Sequence, residues 1–147
     1  MIQRSPTFVR LPVADAGTVT VVDLVAEPVQ SVDPPRRYAL GDVEILVDTP
    51  FEILVNKLTA LLSRSEIRDL SDVNELLKQG LDLGTALAAA PKKDAGFSAM
   101  TLAWVLQGLD VAHLGHESGL SSEGTQGLLE FKEELIQTLV ARSVPNA

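Results

Sequence analysis

The apolar pattern of this chain changes period once, at residues 48–50. Upstream, "TFVRLPV" (7–13) and "TVTVVDLVA" (18–26) are β-branched and alternate residue by residue, with "ADAG" between them as turn chemistry. Downstream, "DTPFEILVNKLTALLSR" repeats its apolar residues every three and four positions. Strand faces recur every second residue and helix faces every 3.6, so one switch of period divides the chain into a strand region and a helical region. The switch itself is sharply marked. Thr49 stands as N-cap, Pro50 at the first helical position and Glu52 two residues on, which is a capping box leading into an apolar run. Strands first and helices afterwards predict an α+β protein and exclude a regular βαβ alternation.

The strand region is expected to hold a β-hairpin, 7–13 with 18–26, and a third strand, "VEILVD" at 43–48, reached through the loop "DPPRRYALGD". About five helices are expected beyond it: one from Pro50, a second over 65–79, a short third over 83–90 stopped by Pro91, a fourth over 98–106 and a last over 121–142. Leu128, Phe131, Leu135 and Leu139 give the last one its apolar stripe, and Trp104 is expected in the core. Residues 1–48 and 49–147 then form the β portion and the helical portion of one compact unit.

Composition limits what such a fold does. With 147 residues, 46% of them hydrophobic and 22% charged, the chain is long enough for a packed core. It has no cysteine, which removes disulfides, thiolate metal sites and cysteine nucleophiles together. No apolar run is long enough for a membrane span and the start carries no signal-peptide core, so the cytoplasm is the expected compartment. A net charge of −8 argues against extensive nucleic-acid binding through a broad basic surface, while leaving room for a local basic pocket. His113 and His116, three apart in a glycine-flanked segment, fit a loop better than a metal-binding helix.

The cations that remain are oddly placed. On a helical wheel Lys57 and Arg64 fall on one line two turns apart, about 100° from the face made by Glu52, Asn56, Thr59 and Ser63. Two inward cations predict a polar cleft, with snorkelling of both heads to water as the bland alternative. A cleft of this kind needs an anion. Asp23 is the carboxylate on the strand face of Val19, Val21 and Val25, where it either serves a site or pairs with Lys57 or Arg64 as a structural bridge. In the second helix Arg68 and Asp72 are spaced for a surface i,i+4 pair, and Asp69 lies at the edge of the apolar stripe. Asp69 is expected to orient Lys57 or Arg64, to act as a base, or to cap the helix's first turn.

"VVDLVAEP", "DPPRRY", "VDTPFEILVNKLTALLSRSEIRDLSDVNELL" and "KKDAGFSAMTLAWVL" together resemble the C-terminal two-thirds of an AbiEii/AbiGii-type nucleotidyltransferase, the toxin of type IV toxin-antitoxin pairs, over about residues 7–110. The motif that carries the resemblance is Lys57, then Arg64, Arg68, Asp69 and Asp72. The resemblance implies a partial nucleotidyltransferase-like fold and Mg²⁺-dependent transfer of a nucleoside monophosphate from a nucleoside triphosphate to an acceptor. It assigns Asp23 as a metal-binding carboxylate, Lys57, Arg64 and Arg68 as phosphate ligands, and Asp23, Lys57 and Asp69 as catalytic. The family's Asp-x-Asp strand and the glycine turn before it have no counterpart here; Asp42-Val43-Glu44 is the nearest substitute. A truncated or split enzyme, inactive alone, is therefore expected, with a cognate antitoxin, an upstream N-terminal half or a second copy of itself as partner. The alternative is a non-catalytic module that binds a nucleotide or a protein in the residual cleft.

Overall fold

A computed structural model describes residues 3–26 and 29–143. The chain forms two compact units, residues 1–30 and 31–147. The first is an antiparallel meander of β1 (Gln3–Ser5), β2 (Phe8–Asp15) and β3 (Thr18–Val25), in the order β1-β2-β3. Its hairpin is the expected one. Ala16 and Gly17 both take positive φ, 43° and 87°, as a two-residue turn matched to the strand twist requires. That register sets Arg10 directly opposite Asp23.

The second unit opens with another hairpin, β4 (Arg36–Leu40) and β5 (Val43–Val47). β5 is the expected third strand, but β4 lies inside what the sequence reads as a loop, and β1 is also additional. Among the described residues there are five strands in two small sheets, where three strands are expected. The turn between β4 and β5 contains Asp42, so Asp42 and Glu44 do not share a strand. Glu44 is bound instead by Arg37, whose Nη1 lies 2.6 Å from its Oε1.

Among the described residues six α-helices follow: α1 (Pro50–Arg64), α2 (Ile67–Lys78), α3 (Leu83–Ala89), α4 (Ala99–Gln107), α5 (Val111–Glu117) and α6 (Ser122–Ser143). α1 packs on α2, α3 and α4, while α6 covers α4, α5 and α2. The core is mainly leucine: Leu54, Leu58, Leu61, Leu70, Leu102, Leu106 and Leu139 are all fully buried. Each contributes roughly 1.5–3 kcal/mol by leaving water. α5 is the helix that the sequence does not announce; His113 and His116 lie on it, not in a loop. Trp104 also departs from expectation, standing 72% exposed on α4, whose neighbours Leu102, Ala103 and Leu106 are the ones turned into the core.

The capping box at α1 is only half formed. Thr49 Oγ1 accepts from the Glu52 amide at 3.1 Å, as expected. The Glu52 side chain does not return to the cap and does not belong to a solvated face: it is 1% exposed and accepts from the amides of Val32 and Asp33 at 2.9 and 3.0 Å. Lys93 Nζ completes the arrangement 2.5 Å from Glu52 Oε1. The hydroxyl of Thr49 donates to the Asp33 carboxylate. The segment preceding β4 and the turn after α3 are thus both tied to the first turn of α1.

Candidate functional site

α1 and α2 meet at a corner made by Ser65, which takes a left-handed conformation (φ 52°) and donates from Oγ to the Leu61 carbonyl. The corner folds the end of α1 back onto the start of α2 and brings together four charged residues from the conspicuous stretch. Asp69 is the centre. Its Oδ1 accepts from Lys57 Nζ at 2.9 Å and from Arg64 Nη2 at 3.0 Å, and its Oδ2 accepts from Arg64 Nε at 2.8 Å. Asp72 adds a second carboxylate to Lys57, with Oδ2 2.6 Å from Nζ.

Asp69 is completely buried, not at the edge of its stripe, and its side-chain bonds go to Lys57 and Arg64 and not to the helix's first turn. Asp72, expected to pair with Arg68, is taken by Lys57. Arg68 is exposed and forms no ion pair among the described residues. Lys57 and Arg64 line the edge of the buried face of α1, not its centre: their side chains are 24% and 53% exposed, between the fully buried Leu54, Leu58 and Leu61 and open water.

The electrostatics follow from this packing. Burial opposes ionisation of Asp69, but the Arg64 and Lys57 hydrogen bonds outweigh it and hold the carboxyl below its ordinary value. Burial likewise opposes the charge on Lys57, and Asp72 and Asp69 more than offset it, so its pKa is raised. Arg64 is raised chiefly by its hydrogen bonds to Asp69. Asp69, Lys57 and Arg64 therefore stay charged at neutral pH. The ammonium of Lys57 offers three donors and the guanidinium of Arg64 five. Each uses two on these carboxylates, leaving one N–H on Lys57 and three on Arg64 for another partner.

Asp23 is engaged elsewhere. Within the first unit Arg10 grips it bidentately, Nε to Oδ1 and Nη2 to Oδ2 both at 2.7 Å. Arg10 also lies over the ring of Phe8, 5.7 Å from its centroid. The strand face that carries Asp23 is open: Val19, Val21 and Val25 are all more than half exposed.

The family description "Nucleotidyl transferase AbiEii toxin, Type IV TA system" matches residues 6–138. The chain belongs to this family. No curated protein and no solved structure matches it. The AbiEii match runs through α4, α5 and most of α6, well beyond residue 110, where the resemblance read from the sequence stops. Among the described residues no helix is long and apolar enough to cross a membrane.

The residues that sequence reasoning missed are Glu52, Asp33 and Lys93. The signal available was weak: Glu52 reads as a cap residue, and Lys93 stands in the sequence only as one of two adjacent lysines. Only the fold brings positions 32, 33, 52 and 93 together.

Proposed function

We propose that the α1–α2 corner is the phosphate-binding element of an AbiEii-type nucleotidyltransferase, with Lys57 and Arg64 as the groups that contact a nucleoside triphosphate. The observation that carries this reading is the buried Asp69, which fixes two partly exposed cations side by side while leaving them N–H groups to spare. Such charge-assisted hydrogen bonds are worth roughly 1.5–3 kcal/mol each. Asp69 acts as a positioning residue. Both its oxygens are occupied and it is closed to solvent, which disfavours a role as base toward an acceptor. Arg68, exposed in the first turn of α2, is available to add charge to a longer phosphate chain.

The Mg²⁺ that this chemistry ordinarily uses does not fit the described residues by themselves. No group of three His, Cys, Asp or Glu side chains converges among them, and Asp23 is already held by Arg10. Metal-assisted in-line transfer clamps the attacking and leaving oxygens between two ions. Transfer therefore needs carboxylates beyond Asp23, and the chain by itself binds nucleotide without transferring it. A toxin of this family implies an antitoxin as its protein partner, and the cytoplasm as the place where both meet nucleoside triphosphates.

Titration calorimetry with inorganic tripolyphosphate tests the site. Binding is expected with or without Mg²⁺, to be lost in Lys57→Ala and kept in Lys92→Ala, whose lysine lies in the turn after α3. Absence of heat with the unaltered, folded chain refutes the phosphate assignment. Mg²⁺-dependent labelling of RNA or protein by this chain alone refutes the proposed inactivity and makes Asp42 and Glu44 the next residues to substitute.

A further inference from the structure

Trp104 is the chain's single tryptophan and lies 72% exposed on α4. Its surroundings are open and shallowly concave. It lines a cavity of about 660 Å³ together with Ser65, Gln107, Leu109, Asp110 and His113. Leu109 is buried, and its carbonyl accepts from the buried Lys132 of α6 at 3.4 Å, so the connection between α4 and α5 that forms this wall is anchored. The rim is polar: Gln107, Asp110 and His113 are all exposed.

The position of Ser65 gives the cavity its meaning. This residue belongs to the wall and is also the corner joining α1 to α2, so Arg64 lies one residue before the wall and Arg68 one turn beyond it. An exposed indole in a concavity with hydrogen-bonding side chains at its rim suits a flat heteroaromatic ring. No lysine or arginine lines the cavity, but Arg64 and Arg68 flank Ser65 in the chain, and cations beside that wall suit an anion attached to the ring. A nucleobase with its phosphates has both properties. An apolar peptide would leave the arginines unused, and a long nucleic acid is disfavoured by the net charge of −8.

We propose that the Trp104 cavity is a nucleobase platform, on which the base of a nucleoside triphosphate stacks against the indole while its phosphates reach Lys57 and Arg64 around the Ser65 corner. The inference rests on the phosphate assignment above for the position of the phosphates, but the stacking surface stands on its own geometry. Stacking reads the face that every base possesses, so it selects a nucleotide over tripolyphosphate more strongly than it selects among bases.

The experiment uses the full chain, labelled so that its one indole N–H gives one resonance. Cytidine, adenosine, the four nucleoside triphosphates, inorganic tripolyphosphate and a short single-stranded RNA are titrated separately, with calorimetry in parallel. Nucleosides at millimolar concentration and all four triphosphates are expected to move the indole resonance, and tripolyphosphate to leave it nearly still. Trp104→Ala is expected to weaken triphosphate binding about 5- to 150-fold, the range for loss of one stacked base, while tripolyphosphate binding is unchanged. Trp104→Phe should recover most of the affinity, and the exposure of the side chain makes both variants compatible with folding. Triphosphate binding that moves no indole resonance and survives Trp104→Ala overturns the platform and leaves the phosphate site intact. An indole shift with nucleosides, combined with no tripolyphosphate binding, overturns the phosphate site and leaves the platform. Response to RNA but to no mononucleotide overturns the proposed ligand.

Discussion

Lys93→Met should destabilise the second unit although Lys93 touches none of the proposed ligand groups. Its ammonium is 2.5 Å from Glu52 Oε1, and the two side chains are 7% and 1% exposed. Removing one partner of a buried ion pair typically costs 3–5 kcal/mol, because the other charge stays out of water uncompensated. Here the orphaned carboxylate keeps two amide donors, Val32 and Asp33 at 2.9 and 3.0 Å, which places the expected loss near the lower end, about 3 kcal/mol. At roughly 4 °C per kcal/mol for a unit of this size, the melting temperature should fall by about 12 °C. Glu52→Gln should cost at least as much, since its carboxamide NH2 must face a donor in either orientation, the Lys93 ammonium or the amides of Val32 and Asp33. Urea unfolding followed by far-UV circular dichroism measures each loss, and the double variant should be less destabilised than the sum of the singles by at least ~1 kcal/mol. A loss below about 1 kcal/mol for Lys93→Met would refute the reasoning, because Glu52 would then be adequately paired without the lysine.

Acid should act on two buried carboxylates, Glu52 and Asp69. Glu52 and Asp69 are both held below their ordinary values of 4.5 and 3.8, burial working against each and the neighbouring cations and amides prevailing. Their stabilisation is fully present above those values and is lost as pH falls through the lower folded-state values, so the urea midpoint should be flat from neutrality to about pH 5 and fall below about 4. A midpoint that stays flat down to pH 3 contradicts the network. Lys57 is shifted the other way, upward from 10.5, so its share of stability is lost only in strong alkali. The β4–β5 hairpin should make the chain self-associate: Leu40, Val43 and Leu46 are each at least 60% exposed, and among the described residues neither outer edge of the hairpin has a strand partner. Light scattering at tens of micromolar should report a mass above that of one chain and Leu46→Lys should reduce it, whereas a clean monomer for the unaltered chain contradicts this.

What the sequence made legible was whatever is decided locally. The β2–β3 hairpin follows from alternation around a turn that Ala16 and Gly17 can close, and the start of α1 follows from Thr49 and Pro50. β4 was hidden because prolines and two arginines precede its few apolar residues and all five of its residues are exposed, which leaves no buried face to impose alternation. α5 was hidden by Gly115, which breaks helical expectation in isolation; in the fold it is where Thr125 of α6 approaches, and a Cβ there would stand 2.7 Å from the threonine hydroxyl. The charges show the same division. Spacing offered Arg68 to Asp72, but tertiary packing gave Asp72 to Lys57, fifteen positions back in the chain. Periodicity identified Lys57 and Arg64 as exceptions on α1, yet it could not assign Asp69 to both of them or direct Trp104 outward.

The central claim is that the cations assembled on Asp69 are there to receive phosphate, and a crystal structure of the chain with a non-hydrolysable nucleoside triphosphate tests it most directly. The account predicts phosphate oxygens within hydrogen-bond distance of Lys57 Nζ and of an Arg64 guanidinium nitrogen, with Asp69 still bonded to both cations. A bound nucleotide whose phosphates lie elsewhere, with Lys57 still bridging Asp69 and Asp72 and Arg64 touching nothing new, would contradict it and reduce the cluster to a structural ion-pair network.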